Sequence, residues 1–334
     1  MDIAEKHGNA TIHYNSPCVD VDLDKGIIFI KNESGEIIQD QADVIFAADG
    51  AFSAVRYNGM QKLDRFDYSQ DYIDDGYREL LLPANEDGTH KLDKNALHIW
   101  PRGRFMLIAL ANEDGSFTCT LFMPFEGENS FSQLKTDEQV ANFFKKTFPD
   151  FYDMFPGLID SWHDHPLSSL AIIRCYPWTK GKVALMGDAA HATVPFYGQG
   201  MNAGFEDCSV MWDLMQKHNE DWPKVFEEYQ KIRKPDGDAV QDLSVHNYYV
   251  MRDFVGDKRF LLQKKIEERF SKLYPDKWIP LYSQVSFTSI RYSEAWETGM
   301  KQDNIMKTVM DRPDIEEVWD SKEVEEAILQ LIDA

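Results

Sequence analysis

The sequence predicts an α/β fold of two domains, with an antiparallel-sheet domain inserted into a strand–turn–helix domain and a helical region at the C-terminus. Three observations lead there. A chain of 334 residues exceeds what one compact core accommodates. Its opening residues are strand-rich, and a later apolar strand ends at Gly187-Asp188 before a glycine-rich loop and a long helical stretch. Between these pieces lie three strand patterns of a different kind, separated by tight turns. The expected boundaries put residues 1–60 and 176–235 in the first domain, 61–175 in the inserted sheet and 236–334 in the helical region.

Taken in order, Ala10–Tyr14, Cys18–Leu23, Gly26–Lys31 and Gly35–Ile38 alternate and carry β-branched residues, with a hairpin turn at Asn32-Glu33-Ser34-Gly35. The run Ala42–Gly50 (A-D-V-I-F-A-A-D-G) is apolar on both faces, which predicts a strand in the middle of a sheet. Leu97–Trp100, Arg104–Ala111 and Ser116–Phe125 predict antiparallel strands, the last two joined at Asn112-Glu113-Asp114-Gly115. Thr136 predicts the N-cap of a helix over 137–148. His163 and His165, in an acidic stretch, read as part of a solvated loop. Two further strands follow, Leu170–Tyr176 and Lys182–Asp188, around a turn at Thr179-Lys180-Gly181. Helix is expected from Gly200 to Phe270, broken at Pro223 and Pro235, where proline suits the first turn of a new helix. In the acidic tail Asp311–Ala334, Ile315, Val318, Trp319, Ile328, Leu331 and Ile332 recur at helical spacing, as in an amphipathic helix packed on the body. A partner-binding tail is the alternative.

Composition excludes several functions. With 43% hydrophobic residues the chain can build a core, and its net charge of −22 repels phosphate backbones and anionic lipid. No nucleic-acid or membrane partner is therefore expected. The longest apolar run, Phe105–Ala111, falls far short of the roughly 18 residues that span a bilayer. Cys18, Cys119, Cys175 and Cys208 form no C-x-x-C pair and read as free thiols of a cytoplasmic protein, and no histidine pattern marks a metal site.

The segment Lys182–Cys208 carries the chemistry. A glycine-rich loop at a helix N-terminus exposes unpaired backbone N–H groups and the positive end of the helix dipole, which suits a diphosphate or a flat ring that becomes anionic. Asp188, at the carboxyl end of its strand, is placed to accept from a sugar-like hydroxyl. Gly198-x-Gly200-x-x-Ala203 fits the loose dinucleotide pattern, yet Asp188–Tyr197 separates it from the strand, so those glycines are not read as a pyrophosphate loop.

G-D-A-A-H-x-x-x-P with G-Q-G-M-N-A-G-F-E-D resembles the flavin ribityl motif of the FAD-dependent aromatic-ring-hydroxylating monooxygenases. A-D-G-A-F-S-A-V-R resembles the D-G motif of the same family. F-D-Y-S-Q-x-Y-I, L-H-I-W-P-R, S-F-T-C-T-L-F-M-P-F, N-Y-x-x-M-R and I-P-L-Y resemble its kynurenine-hydroxylating branch, in family order across residues 47–293. The resemblance implies a Rossmann-like FAD-binding domain of the p-hydroxybenzoate-hydroxylase type. It also implies FAD and NADPH as cofactors, with O2 and L-kynurenine as substrates, and oxygen transfer from a flavin C4a-hydroperoxide. No catalytic side chain beyond the flavin is implied. Asp49, Gly50, Asp188, Gly198, Gly200, Met201 and Asn202 match the cofactor positions. Leu97, Met106, Ile108, Leu110 and Phe122 match an apolar substrate wall; Met106, Ile108 and Leu110 alternate on one strand face, which read alone is plain core. Pro195, Phe196 and Gln199 match the flavin side of the substrate pocket, and Asn247 and Tyr282 match partners of the substrate's amino-acid end. His191 reads as a structural hydrogen-bonding group rather than a base.

The G-x-G-x-x-G strand–turn–helix that would hold the adenine half of FAD has no match before residue 47, nor does an arginine–tyrosine clamp for the substrate carboxylate. The expectation is a flavin domain without its first βαβ unit, with apolar surface left uncovered and low stability or self-association as a consequence. A flavoprotein acting on another aromatic substrate, or a non-catalytic remnant unable to bind FAD, are the alternatives.

Overall fold

The fold comes from a computed structural model and is described for residues 2–6 and 8–333; Met1, His7 and the last tail residue, Ala334, lie outside the described residues. After α1 (Asp2–Lys6), three strands, β1 (Cys18–Asp22), β2 (Ile27–Lys31) and β3 (Ile37–Gln41), form an antiparallel sheet in that order. The strand expected at Ala10–Tyr14 is absent: alternation without a neighbouring backbone to pair with does not make a strand. Next come β4 (Ile45–Ala47), α2 (Ala54–Asn58) and β5 (Asp67–Leu82), a long strand of which the sequence reading recognised only a motif. β6 (His98–Pro101), β7 (Met106–Ala111) and β8 (Phe117–Pro124) fall where the patterns put them.

α3 (Asp137–Thr147) begins at Thr136, whose hydroxyl accepts from the Gln139 N–H in a capping box. α4 (Pro149–Asp153) and α5 (Leu158–Asp164) follow. His163 therefore lies on a helix rather than in a loop, held by Asp137 Oδ1 at 2.8 Å, and His165 caps that helix. β9 (Ser168–Tyr176), β10 (Thr179–Lys180) and β11 (Val183–Leu185) complete the strands. α6 (Asp188–His191) and α7 (Gly200–His218) lead into α8 (Trp222–Tyr249), which carries Pro223 in its first turn as expected but runs straight through Pro235. A π-helical turn, Val250–Phe254, ends it. The remaining helices are α9 (Lys258–Leu273), α10 (Leu281–Phe287), α11 (Tyr292–Met310), α12 (Ile315–Val318) and α13 (Lys322–Ile332).

Two compact units result. One comprises residues up to 71 and 172–241, the other 72–171 and 242–333. The first holds the antiparallel β1-β2-β3 sheet and a sheet ordered β10-β11-β4, in which β11 runs parallel to β4. β4 is thus an edge strand among the described residues, not a central one, and Phe46 on it is 43% exposed. Trp178, Leu185, Met211, Val225 and Tyr229 pack this unit's core.

The second unit contains β6, β7, β8 and most of β5, antiparallel neighbours in that order, with β9 beyond β5 in the same five-stranded sheet. One face of it (Leu107, Cys119, Leu121) meets Phe144, Phe148 and Phe151 of α3 and α4. Its helical portion buries Phe270, Trp278 and Met306 with Ile315, Val324 and Ile328 of the acidic tail. The tail is packed as the spacing predicts, in two helices instead of one. No helix of the described residues is long and apolar enough to cross a membrane.

Candidate active site

In the first unit, parallel pairing places Leu185 opposite Ala47, and the Met186 N–H donates to the Ala47 carbonyl at 3.0 Å. Both strands then release their chains at the same end, into the loop 48–53 and the turn 186–187 that leads into α6. In open α/β sheets the carboxyl ends of parallel strands are where ligands bind. Arg56 ties the two loops together. It is buried, with Nη1 donating to the Ala189 carbonyl at 2.7 Å and Nη2 to the Ala51 carbonyl at 2.5 Å. A guanidinium fork reaches two carbonyls at once, which a lysine cannot do with fixed geometry. Asp49 is exposed; its Oδ2 accepts from the Val55 N–H at 3.1 Å, so the carboxylate also closes the turn into α2.

The second loop opens at Gly187, whose backbone (φ 55°, ψ −139°) lies in a region that favours glycine. Its N–H donates to Asp207 Oδ2 at 2.8 Å, and a Cβ on Gly204 of α7 would stand only 3.7 Å from the Gly187 Cα. Asp207 is wholly buried. It meets His191 Nε2 at 2.6 Å and accepts from Arg233 Nε at 2.7 Å; Arg233 in turn reaches Glu206 at 2.6 Å and Asp236 at 3.2 Å. Burial opposes ionisation of Asp207, but His191 and Arg233 outweigh it and hold the carboxyl below its usual range. The His191 ring lies tilted against that of the buried Trp178, with centroids 5.1 Å apart. The sequence reading passed over Asp207 and Arg233. Their signal was an acidic residue three positions after Gly204, on the helix face that such small residues turn inward.

Around this scaffold the cofactor-matching groups are open. Asp188 is exposed at the start of α6, and its carboxylate takes no hydrogen bond among the described residues. α7 begins without a side-chain cap, leaving the first backbone N–H groups, at Gly200, Met201 and Asn202, to another acceptor. Met201 is 71% exposed, and the Asn202 amide donates to Gln199 Oε1 at 3.0 Å. Pro195, Phe196 and Tyr197 form a 3-10 turn closed by Gly198; Phe196 and Gln199 are buried and Pro195 is exposed. A free carboxylate beside an uncapped helix start is a donor–acceptor set that fits a ribityl chain and the polar edge of an isoalloxazine. Beside it lies an apolar hollow of about 460 Å³, lined by Phe46, Met186, Met201, Phe205 and Trp212.

In the second unit, Met106 pairs with Phe122, Ile108 with Thr120 and Ile99 with Ile108. Period-two alternation therefore puts Met106, Ile108 and Phe122 on the sheet face opposite the helical core. Met106 and Phe122 are buried, while Leu110, 50% exposed, and Leu97, 43% exposed, mark the open end. Tyr77 of β5, unanticipated, stands opposite Phe122 with ring centroids 6.1 Å apart. Asn247 lies half-buried in the last turn of α8, its amide donating to Met251 Sδ at 3.5 Å. Tyr282 of α10 is exposed, its ring edge-on to Phe287.

Residues 1–244 match the family described as FAD binding domain. The chain is 50% identical over 334 residues to the kynurenine 3-monooxygenase of Flavobacterium johnsoniae, covering 99% of this chain and 74% of that one. It is 43% identical over 319 residues to the enzyme of the same name from Dictyostelium discoideum, covering 92% and 68%. Among solved structures, a tetrameric form of 2-methyl-3-hydroxypyridine-5-carboxylic acid oxygenase shares the fold at TM-score 0.58 and 20% identity, over 77% of this chain and 67% of that one. Tetracycline destructase Tet(51) does so at TM-score 0.55 and 20% identity, over 86% and 73%.

Proposed function

Because the chain belongs to the kynurenine 3-monooxygenase family of FAD-binding flavoprotein monooxygenases, we propose that it hydroxylates L-kynurenine at ring carbon 3, using FAD, NADPH and O2. The observation that carries this reading is the Arg56 bridge, which joins the D-G and G-D loops beside the uncapped start of α7. When bound and reduced by NADPH, the flavin would supply the two electrons that activate O2, one atom of which passes to the substrate while the other leaves as water. The chain supplies position and shelter. Asp188 accepts from a ribityl hydroxyl, and the N–H groups of Met201 and Asn202, at the positive end of the α7 dipole, favour negative charge on the flavin ring. Gly50, Gly198 and Gly200, without side chains, would let the backbone approach the cofactor closely, and Asp49 would hold the D-G turn in place for it. On the substrate side, Leu97, Met106, Ile108, Leu110 and Phe122 form a wall that keeps water from the reacting ring. Pro195, Phe196 and Gln199 flank the flavin, and Asn247 and Tyr282 hydrogen-bond the amino-acid end.

The test is to supply the chain with FAD, NADPH, L-kynurenine and isotopically heavy O2. The expected result is a yellow protein and a product heavier than substrate by one labelled oxygen. Tight flavin binding without labelled product would overturn the substrate assignment. A chain that stays colourless with excess FAD would overturn the enzymatic reading altogether.

A further inference from the structure

The face of the sheet that carries the apolar wall also carries a buried carboxylate that the reading above does not use. Asp75 lies two residues before Tyr77 on β5, hence on the same face, and its register partner Pro124 is two residues from Phe122. It is 1% exposed. Its Oδ2 accepts a hydrogen bond from the hydroxyl of Tyr248, which is fully buried near the end of α8, while Oδ1 has no partner. Arg252 Nη1 donates to the same hydroxyl at 3.2 Å and stands 3.6 Å from Asp75 Oδ2, with its guanidinium 5.0 Å from the Tyr248 ring.

A buried carboxylate is costly to desolvate, and apolar residues of similar size often serve stability as well or better. Burial pushes the Asp75 carboxyl above its usual range even though Arg252 and Arg104 favour the charged form. What such a cluster does provide is a fixed direction, since each bond constrains an angle as well as a distance. Its location gives that direction a use. The π-helical turn Val250–Phe254 begins just after Tyr248, and π turns are uncommon and poorly stabilised by themselves. The contacts that span its start include Tyr248 with Arg252, Tyr249 with Arg252 and Asn247 with Met251. Asp75 fastens the first pair to β5, and β5 pairs with β8, which bears Phe122.

We propose that the Asp75–Tyr248–Arg252 cluster is a positioning device that locks the end of α8 to the sheet and so sets Asn247 at a fixed distance from the apolar wall, giving selectivity for a substrate with an amino-acid tail. The inference rests on the reading in which Asn247 meets that tail. Asp75 and Tyr248 themselves touch no substrate; they act through Asn247.

The experiment uses the whole chain saturated with FAD and measures dissociation constants by calorimetry. One ligand is L-kynurenine; the other is 2-aminoacetophenone, which keeps the ring and ketone but lacks the tail. Tyr248→Phe removes the hydroxyl at the centre of the cluster. It should weaken L-kynurenine binding about tenfold, leave 2-aminoacetophenone unchanged and barely move the melting temperature. Asp75→Asn keeps an acceptor for that hydroxyl and should restore binding to within about threefold of the parent. If Tyr248→Phe does not fold, Arg252→Met, at a more accessible position, carries the same tail-specific expectation. Equal losses for both ligands, or none for L-kynurenine, would overturn the positioning role. A parent chain that binds 2-aminoacetophenone but not L-kynurenine would overturn the substrate reading, and this inference with it.

Discussion

Asp188 and Asp207 belong to one sequence motif and have opposite surroundings, so substitution separates binding from folding. Asp188 is exposed and unengaged among the described residues; Asp188→Ala should leave the melting temperature near the parent's while weakening FAD binding about 10- to 100-fold, the worth of one hydrogen bond to a charged group. Flavin fluorescence titration checks it. Asp207 is the reverse: Asp207→Ala leaves His191 and Arg233 without their buried carboxylate and should cost about 3–5 kcal/mol in chemical denaturation. Its pH dependence has a definite sign. The folded carboxyl is held below the ordinary value of 3.8, so its contribution is complete above that value and is lost as pH falls through the lower, folded one. The parent should therefore lose stability more steeply than Asp207→Asn in that acid window. Asp188 could be picked out from the chain because a carboxylate ending an apolar strand is a local pattern. For Asp207 the spacing from Gly204 marks only an inward-facing position; its partner Arg233 lies 26 residues away, and no local pattern announces the pair.

At the scale of elements, α8 shows where local rules yield to packing. Proline in a helix interior removes the donor to the carbonyl four residues earlier and predicts a break. The carbonyl deprived by Pro235 belongs to Lys231, an exposed residue where water can replace the lost donor, while Arg233 and Asp236 anchor both flanks. Gly237, two residues on, makes the converse test. Alanine is the better helix former by about 0.5–1 kcal/mol. Here its Cβ would come within 2.7 Å of the buried Trp178 ring and 3.1 Å of His191. Packing should win: Gly237→Ala is expected to destabilise the protein by about 1–3 kcal/mol in urea denaturation, against its helix propensity. The strands follow the same division. β6, β7 and β8 alternate and are set off by tight turns, so they are visible in the chain. Ala42–Gly50 reads as a central strand because its run is apolar on both faces, yet only β11 pairs with β4 among the described strands.

For the molecule as a whole, the edge of β4, unpaired among the described residues, and the apolar hollow beside it work against the high negative charge. Edge strands and large exposed apolar patches favour association, while a net charge of −22 opposes it. Charge repulsion is screened over about 10 Å at 0.1 M salt and apolar contact is not. Sedimentation velocity should therefore show a larger particle as salt is raised, and Trp212→Glu, which charges the hollow, should shift the population back toward monomer. The hydrophobic content, the acidic surface, the strand–Gly-Asp–loop–helix order and the family motifs are all properties of neighbouring residues or of simple sums, and the chain displays them directly. The Arg56 bridge, the Asp207 network and the Asp75 cluster instead join residues far apart in sequence. Such pairings leave no local periodicity; strand register, helix packing and the exclusion of water create them when the chain folds.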